Sequence, residues 1–504
     1  MIRRQEFSRG GLLPPGARTD LFLLLCLFFF VRVPYLAKFP VSGDEGVFGM
    51  MSYAIGIGDD YPLYCWGAHY ASALVSYIAA AVMRFAGPGP GALKAAVLPY
   101  SLLLIPLFYL ILRRLFERLT ALLATGLLAI PPPVFLEMQS QAHGGYPETF
   151  FLGATLWFVA ADIGRPDASR SPLPLSLRCF LLGLLWAASF SILWLGVPFI
   201  LAAATVLYRK RRSLRFSPTA FVAGSLLGLF PFLAYNLFLA PGRTLLRLAG
   251  RALHASRAQE LPHGIFERLF RPQEWCSSLF HGFSEFFQPV GGATAGLLLL
   301  LLALWGFLRL RRTHPEWAFL TAGTLLFSIP FDFLGDLSRV RHLSPLWLPL
   351  LVLWAALPRR GAAVFLAALL VANGIALRNF IHEYPTPREA IAAAKTLRDL
   401  PVDAFVSDYE YAYRTVFLSR RYLPVASIAP PNPTDRRPDW TEKIRRESRR
   451  PALFLEKTKV APRFARCLIE KKIPFSMIEF QTHTLFLPRL SATFSDLPTR
   501  CLGP

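Results

Sequence analysis

Apolar stretches of roughly 17 to 25 residues, the length a helix needs to cross about 30 Å of hydrocarbon, recur from Leu21 to Arg378. Inside lipid every backbone N–H and C=O must find a partner within the protein, so such stretches are expected as helices. The remaining chain, to Pro504, is polar and mixed. The expected architecture is a polytopic α-helical membrane domain over residues 1–378, with a small α/β domain over 379–504 outside the membrane. Composition agrees: 54% of the 504 residues are hydrophobic and the mean hydropathy is +0.41.

Hydropathy places crossings at Asp20–Lys38, Gly91–Leu112, Leu119–Leu136, Pro147–Ile163, Leu177–Ile192 and Trp194–Tyr208. Further crossings are expected at Ser217–Leu239, Val290–Leu310, Trp317–Leu334, His342–Leu357 and Gly361–Arg378, about 11 in all. The first follows Arg3, Arg4, Arg9 and Arg18, as a signal peptide would, but no small-residue cleavage site precedes Lys38, so it reads as an uncleaved anchor. Tyr70–Phe85 is apolar but short, and the charges between segments decide its place. With it along the surface as a juxtamembrane helix, Arg113/Arg114/Arg118, Arg165/Arg170, Arg209–Arg212, Arg309/Arg311/Arg312 and Arg359/Arg360 all join the basic N-terminus on the cytoplasmic side. The connections Phe39–Gly91, Glu137–Tyr146, Ala240–Gln288 and Gly335–Arg341 then face outward, with the C-terminal domain. The localisation implied is the cytoplasmic (inner) membrane, with the N-terminus cytoplasmic.

The tail reads as a helix (Arg388–Leu400), β-branched and aromatic runs (Ala404–Val406, Thr415–Leu418), a linker (Pro430–Arg437), a strand (Ala452–Leu455), a helix (Pro462–Lys472) and a hairpin (Phe475–Pro488). The net charge of +22 lies mostly in short clusters between apolar segments, where it sets topology, so no nucleic-acid partner is expected. Six scattered cysteines show neither CxxC nor zinc-ligand spacing. Of these, Cys65, Cys276, Cys467 and Cys501 fall on the outer side, which permits a disulfide without identifying one.

The sharpest chemical signal is Ser42-Gly43-Asp44-Glu45-Gly46, just outside the first crossing and ahead of a helical stretch, Val47–Ile57. Asp44 and Glu45 suit a helix start, as N-cap and first-turn acid; they are equally the acids expected of a site. Trp66-Gly67-Ala68-His69-Tyr70 follows, with His69 and Tyr70 as substrate-binding candidates. The stretch from Glu137 to Glu148 is too polar for lipid, and Gly144-Gly145 allows close approach, so it is expected to line a cavity. There His143, Tyr146 and Glu148 are candidates for binding a sugar hydroxyl, and His143 and Glu148 for a divalent metal; a lone His is also commonly a satisfied polar residue. Arg339, Arg341 and His342 open a helix on the outer side, against the positive-inside trend, and a guanidinium fork matches phosphate geometry. The competing account is headgroup anchoring, which also suits Arg243, Arg247 and Arg251 at i, i+4 spacing.

The ordered set formed by the acidic pair, the Tyr61-Pro62-Leu63-Tyr64 loop, the juxtamembrane helix, the basic turns, Gly144-Gly145-Tyr146-Pro147-Glu148 and Arg339-Val340-Arg341-His342 resembles the GT-C superfamily. This is the membrane fold of protein O-mannosyltransferase and aminoarabinose transferase relatives, and the likeness is nearest to the bacterial RgtA/B/C/D-like (family 39) branch, over Asp20 to Leu357. The resemblance implies an inverting glycosyltransferase with Asp44 as catalytic base and Glu45 in support. It also implies a polyprenyl-phosphate or diphosphate sugar donor, a glycan, lipid or protein acceptor, and membrane lipids as partners. Relatives often carry a further acid or a Lys in the second outer helix, and Trp66–Val75 contains none. The alternative class is a transporter or flippase for a lipid-linked or small substrate. Transporters usually show repeats, broken helices and midplane charges, whereas this chain keeps its charges at segment ends and in loops.

Overall fold

The computed structural model describes residues 16–38, 41–142, 144–163, 173–211, 216–241, 292–334, 345–428, 436–458 and 460–488. Its helices follow the apolar pattern. The first six are α1 (Ala17–Ala37), α2 (Gly43–Ile57), α3 (Leu74–Ala86), α4 (Pro90–Leu115), α5 (Arg118–Ala129) and α6 (Pro133–Ser140). Next come α7 (Tyr146–Ile163), α8 (Leu175–Ile192), α9 (Val197–Lys210) and α10 (Pro218–Ala234). The membrane part closes with α11 (Gly292–Thr313), α12 (Pro315–Leu334), α13 (Trp347–Ala355) and α14 (Arg359–Glu383). Among the described residues five segments are long and apolar enough to cross by themselves: α1, α4, α8, Pro218–Leu239 and α14. The protein is a multi-pass membrane protein.

Lipid supplies no hydrophobic force between helices, so close packing of small residues takes its place. At the α8–α10 contact a Cβ added to Gly183 would come within 2.1 Å of the Phe221 carbonyl oxygen, and one on Gly224 within 2.0 Å of that of Phe180. The two backbones therefore touch. At one end of the bundle Asp20 pairs with Arg118 at 2.8 Å and accepts the Tyr109 hydroxyl, while Arg359 pairs with Glu117. These contacts gather the starts of α1, α5 and α14 and the end of α4, which are the basic turns expected on one side.

Leu119–Leu136, expected as one spanning helix, is two helices bent by 71° that together are apolar and long enough for one span. Pro131, Pro132 and Pro133 remove the amide donors that would continue α5, leaving its last carbonyls without intrahelical partners. Side chains supply the missing donors. Arg32, fully buried in α1, donates to Ala129 O at 2.9 Å, Leu128 O at 3.3 Å and Gln139 Oε1 at 2.9 Å. Asn373 of α14 donates to Ile130 O at 3.2 Å. The break turns the chain so that α6 and the residues after it run toward α2.

At the opposite end β1 (Tyr64–Cys65) and β2 (Ala68–Ser72) form a short antiparallel ribbon. Tyr70–Phe85, expected as one helix, divides: the ribbon ends at Ser72 and the helix α3 begins at Leu74. Its 13 residues place α3 among the shorter apolar helices. From α14, which continues through position 378 to Glu383, the chain enters the α/β layer. That layer contains α15 (Arg388–Asp399), β3 (Ala404–Ser407), α16 (Tyr409–Ser419), β4 (Val425–Ala426), α17 (Pro438–Glu447), β5 (Pro451–Glu456), α18 (Val460–Glu470), β6 (Phe475–Glu479) and β7 (His483–Pro488). Strand order is β4-β3-β5-β7-β6, with β4, β3 and β5 parallel and the β6–β7 hairpin antiparallel to β5. Cys467 of α18 is disulfide-bonded, whereas Cys65 is a buried thiol.

Thr415–Leu418 was expected as a strand from its side chains; it lies inside helix α16. Asp408 caps that helix by accepting Glu410 N–H at 2.9 Å, and α16 packs along α2. Gly43, Gly46 and Gly49 line the facing side of α2 at helical spacing. A Cβ on Gly46 would stand 2.4 Å from the Arg414 backbone nitrogen, and one on Gly49 2.6 Å from the Phe417 ring. One apolar core joins Phe48, Met51 and Ala54 of α2 to Tyr413 and Phe417 of α16 and to Phe405 and Phe454 of the sheet. The α/β layer is therefore built onto the end of the bundle that bears α2.

Candidate functional site

The Ser42 hydroxyl caps α2 by accepting Glu45 N–H at 3.2 Å, which fixes Asp44 and Glu45 in the first helical turn, where carboxylates are favourable. The two acids then part. Glu45 points inward and is 0% exposed; both of its oxygens accept from Lys94 Nζ, at 2.7 and 2.9 Å. Oε1 also accepts Ala142 N–H at 2.9 Å. A buried carboxylate is tolerable only when paired and hydrogen-bonded in this way. The cation that pairs with the acidic turn thus comes from the first turns of α4. Sequence reasoning missed it because Lys94 stands inside an apolar segment, where it reads as an isolated charge.

Asp44 points toward the α/β layer, with its side chain 32% exposed. Its Oδ1 accepts from the Tyr409 hydroxyl and from Arg436 Nη2, the latter at 3.1 Å. Arg436 also donates to the Tyr409 oxygen, from Nη2 at 2.8 Å and Nε at 3.2 Å. Burial first, and then the charge of Asp44, push the Tyr409 hydroxyl far above the usual phenol range, so it stays protonated and donates. Neither Tyr409 nor Arg436 carries a local motif; only the fold of the tail reveals them.

Arg437 fixes the strap that bears Arg436. Its guanidinium lies 4.5 Å from the Trp66 ring centroid and 4.6 Å from that of Trp440, and it pairs with Asp60 at 3.1 Å and Asp439 at 2.6 Å. Trp66 Nε1 donates to the same Asp60 oxygen at 2.8 Å. Gly67, at φ +64°, makes the turn of the ribbon beneath; a Cβ there would meet Arg436 Cδ at 2.9 Å.

The remaining expected residues divide into four groups. His69 Nδ1 is hydrogen-bonded to the Tyr235 hydroxyl, and Tyr70 packs against Trp194 at 6.0 Å between centroids. Tyr146 and Glu148 are buried at the start of α7, and Glu148 Oε2 has no hydrogen-bond partner among the described residues. Gly144 and Gly145 take positive φ, and the groups approaching them are Ala71 and Ile192 of this chain. His143, Arg339, Arg341 and His342, together with Arg243, Arg247 and Arg251, lie outside the described residues. Among the described residues no cluster of three or more His, Cys, Asp or Glu could hold a metal ion.

No protein-family model matches the chain, and no curated protein does. Solved structures do. The crystal structure of ArnT from Cupriavidus metallidurans in the apo state superposes with a TM-score of 0.59 at 11% identity, covering 97% of this chain and 100% of ArnT. ArnT from the same organism bound to undecaprenyl phosphate gives 0.60 at 12% identity, covering 97% and 99%. The likeness therefore runs past Leu357, where the sequence resemblance stops, and takes in the α/β layer. With its bundle, ribbon and acid-bearing α2 arranged in this way, the chain has the fold of ArnT.

Proposed function

We propose that the protein is a glycosyltransferase that moves a sugar from a polyprenyl-phosphate-linked donor to an acceptor hydroxyl at the outer face of the cytoplasmic membrane. The observation that carries this reading is the partly exposed carboxylate of Asp44, held between a phenol and a guanidinium in the fold of a protein crystallised with undecaprenyl phosphate. The acceptor oxygen bonds to the anomeric carbon while the bond from that carbon to the phosphate oxygen breaks, its electron pair leaving with the polyprenyl phosphate. The acceptor proton passes to Asp44. Attack opposite the departing group inverts the anomeric carbon.

A hydroxyl is a far weaker acid than a carboxylic acid, so Asp44 helps by accepting the proton as the new bond forms, a contribution of about 10² to 10⁴ in rate. Glu45 has a different task. Neutralised by Lys94 and bonded to Ala142 N–H, it locks α2 against α4 and the residues after α6. Arg341, with Arg339 and His342 beside it, is the outer-loop candidate for the donor phosphate, because its fork can bind two oxygens at once. Acceptors in keeping with an outer site are hydroxyls of envelope glycans, lipids or proteins. The basic turns assign the opposite end of the bundle, with the N-terminus, to the cytoplasm.

The test is incorporation of label from a radiolabelled polyprenyl-phosphate sugar into envelope products, comparing the parent with Asp44→Asn. Asn keeps the size and the capacity to sit at a helix start, so expression and insertion should hold while transfer falls by about 10² or more. If Asp44→Asn and Glu45→Gln both transfer like the parent, the glycosyltransferase reading is wrong.

A further inference from the structure

We infer that Arg436 is a ligand for the donor phosphate which Asp44 holds in reserve, so that donor binding itself frees the base. The inference rests on the glycosyltransferase reading above and adds to it a residue and an order of events.

The resting contacts oppose the base role. An opposite charge at contact and a hydrogen bond from Tyr409 both favour the ionised carboxylate, and so make Asp44 a poorer proton acceptor. Proton uptake requires that this pairing be loosened. What loosens it must be an anion that binds a guanidinium better than Asp44 does, and the donor brings one. Asp44 and Arg436 meet through one oxygen and one nitrogen, at 3.1 Å; a phosphate offers the two-oxygen edge that a guanidinium fork matches.

Arg436 is built to make the exchange. Its neighbour Arg437 is pinned by two tryptophan faces and two carboxylates, which anchors the backbone. The Arg436 stem crosses the bare face of Gly67, where any Cβ would collide with it. With Asp44 32% and Arg436 13% exposed, the pair borders open space and is not sealed in the core. A phosphate that drew the guanidinium over would take that cation from Asp44 and bring an anion near it, and both changes raise its proton affinity. The base would then be competent only when a donor is in place, and the α/β layer would be part of the donor site.

The experiment measures binding of undecaprenyl phosphate to full-length protein in phosphatidylcholine nanodiscs, for the parent, Arg436→Ala, Asp44→Asn and the double variant. Arg436→Ala is expected to weaken binding about tenfold or more, the loss of one charge-assisted contact. Asp44→Asn removes the competing carboxylate and is expected to tighten binding severalfold, and the double variant should lose that gain. Binding by Arg436→Ala equal to the parent overturns the inference, as does Asp44→Asn without tightening, since a clamp not held by Asp44 has nothing to hand over. Phosphatidylglycerol is added as competitor in a separate arm; if it displaces undecaprenyl phosphate as effectively as unlabelled undecaprenyl phosphate does, Arg436 is a headgroup anchor and the inference fails. Because Asp44→Asn reports on binding independently, misfolding of Arg436→Ala does not shelter the idea. Transfer by Asp44→Asn is scored separately: retained activity refutes the base reading, whatever the binding arms give.

Discussion

Replacing Lys94 by Met exposes what the inner half of the site is built on. Lys94 is 9% exposed and Glu45 0%, and the ammonium meets both carboxylate oxygens, at 2.7 and 2.9 Å. Met has a similar length and volume without the charge, so the change leaves a fully buried carboxylate whose remaining donor is Ala142 N–H at 2.9 Å. Removing one partner of a buried pair costs about 3–5 kcal/mol, on the order of 10²-fold or more in the folding equilibrium. Glu45→Gln should cost less than Lys94→Met, because Gln still offers an oxygen to both Lys94 and Ala142. The double variant, which removes both charges, should be substantially more stable than the sum of the single losses, since no uncompensated ion remains. Unfolding of the purified protein in mild detergent, followed for all four proteins under one set of conditions, gives the coupling. The reasoning is refuted if Lys94→Met shifts stability by less than about 1 kcal/mol, or if the single losses simply add. Either result would mean that the pair is wetter than its burial implies.

The glycine face of α2 yields a second expectation: Gly46→Leu has no room against the Arg414 backbone, 2.4 Å from any added Cβ, and should cost about 1–3 kcal/mol or more. It should also make the α/β layer more sensitive to protease, while Gly56→Leu, where nothing lies within 4 Å, should not. A third concerns acid. Burial raises the Glu389 carboxyl, but hydrogen bonds from the Thr482 hydroxyl and amide, the charge of His483 and the His483 amide outweigh it and hold the carboxyl below the ordinary range. A folded-state value below the unfolded one contributes stability that is present above the unfolded value, about 4.3, and is lost as pH falls through the folded value. Glu389→Gln should therefore be less stable than the parent at neutral pH and flatter as pH falls below about 4; an equal acid slope in the two proteins would exclude Glu389 as its source.

Much of the architecture can be read along the chain, because lipid leaves a long apolar segment little choice but to satisfy its own backbone. The expected positions of α1, α4, α8 and α14 agree with the helices to within a few residues, and the tail's sheet elements around Ala404, Ala452 and Phe475 lie where alternation and turn residues put them. Asp44 and Glu45 were visible too, since a Ser followed by acids marks a helix start. Three features lay outside what local pattern conveys. Leu119–Leu136 has the composition of one crossing, yet three prolines break it, and the freed carbonyls are satisfied by Arg32, a residue 96 or more positions away. Thr415–Leu418 has strand-forming side chains, yet it is helical because a glycine face on α2 and an Asp408 cap offer it a better partner than a sheet edge. The acids acquire their different roles last of all. Glu45 becomes a buried anchor through Lys94, 49 residues on, and Asp44 a guarded carboxylate through Arg436, 392 residues on. Hydropathy and capping are properties of neighbouring residues and can be read in order. Whether a charge is neutralised, exposed or poised depends on which distant side chain comes within about 3 Å of it, and that is settled when the α/β layer packs onto α2.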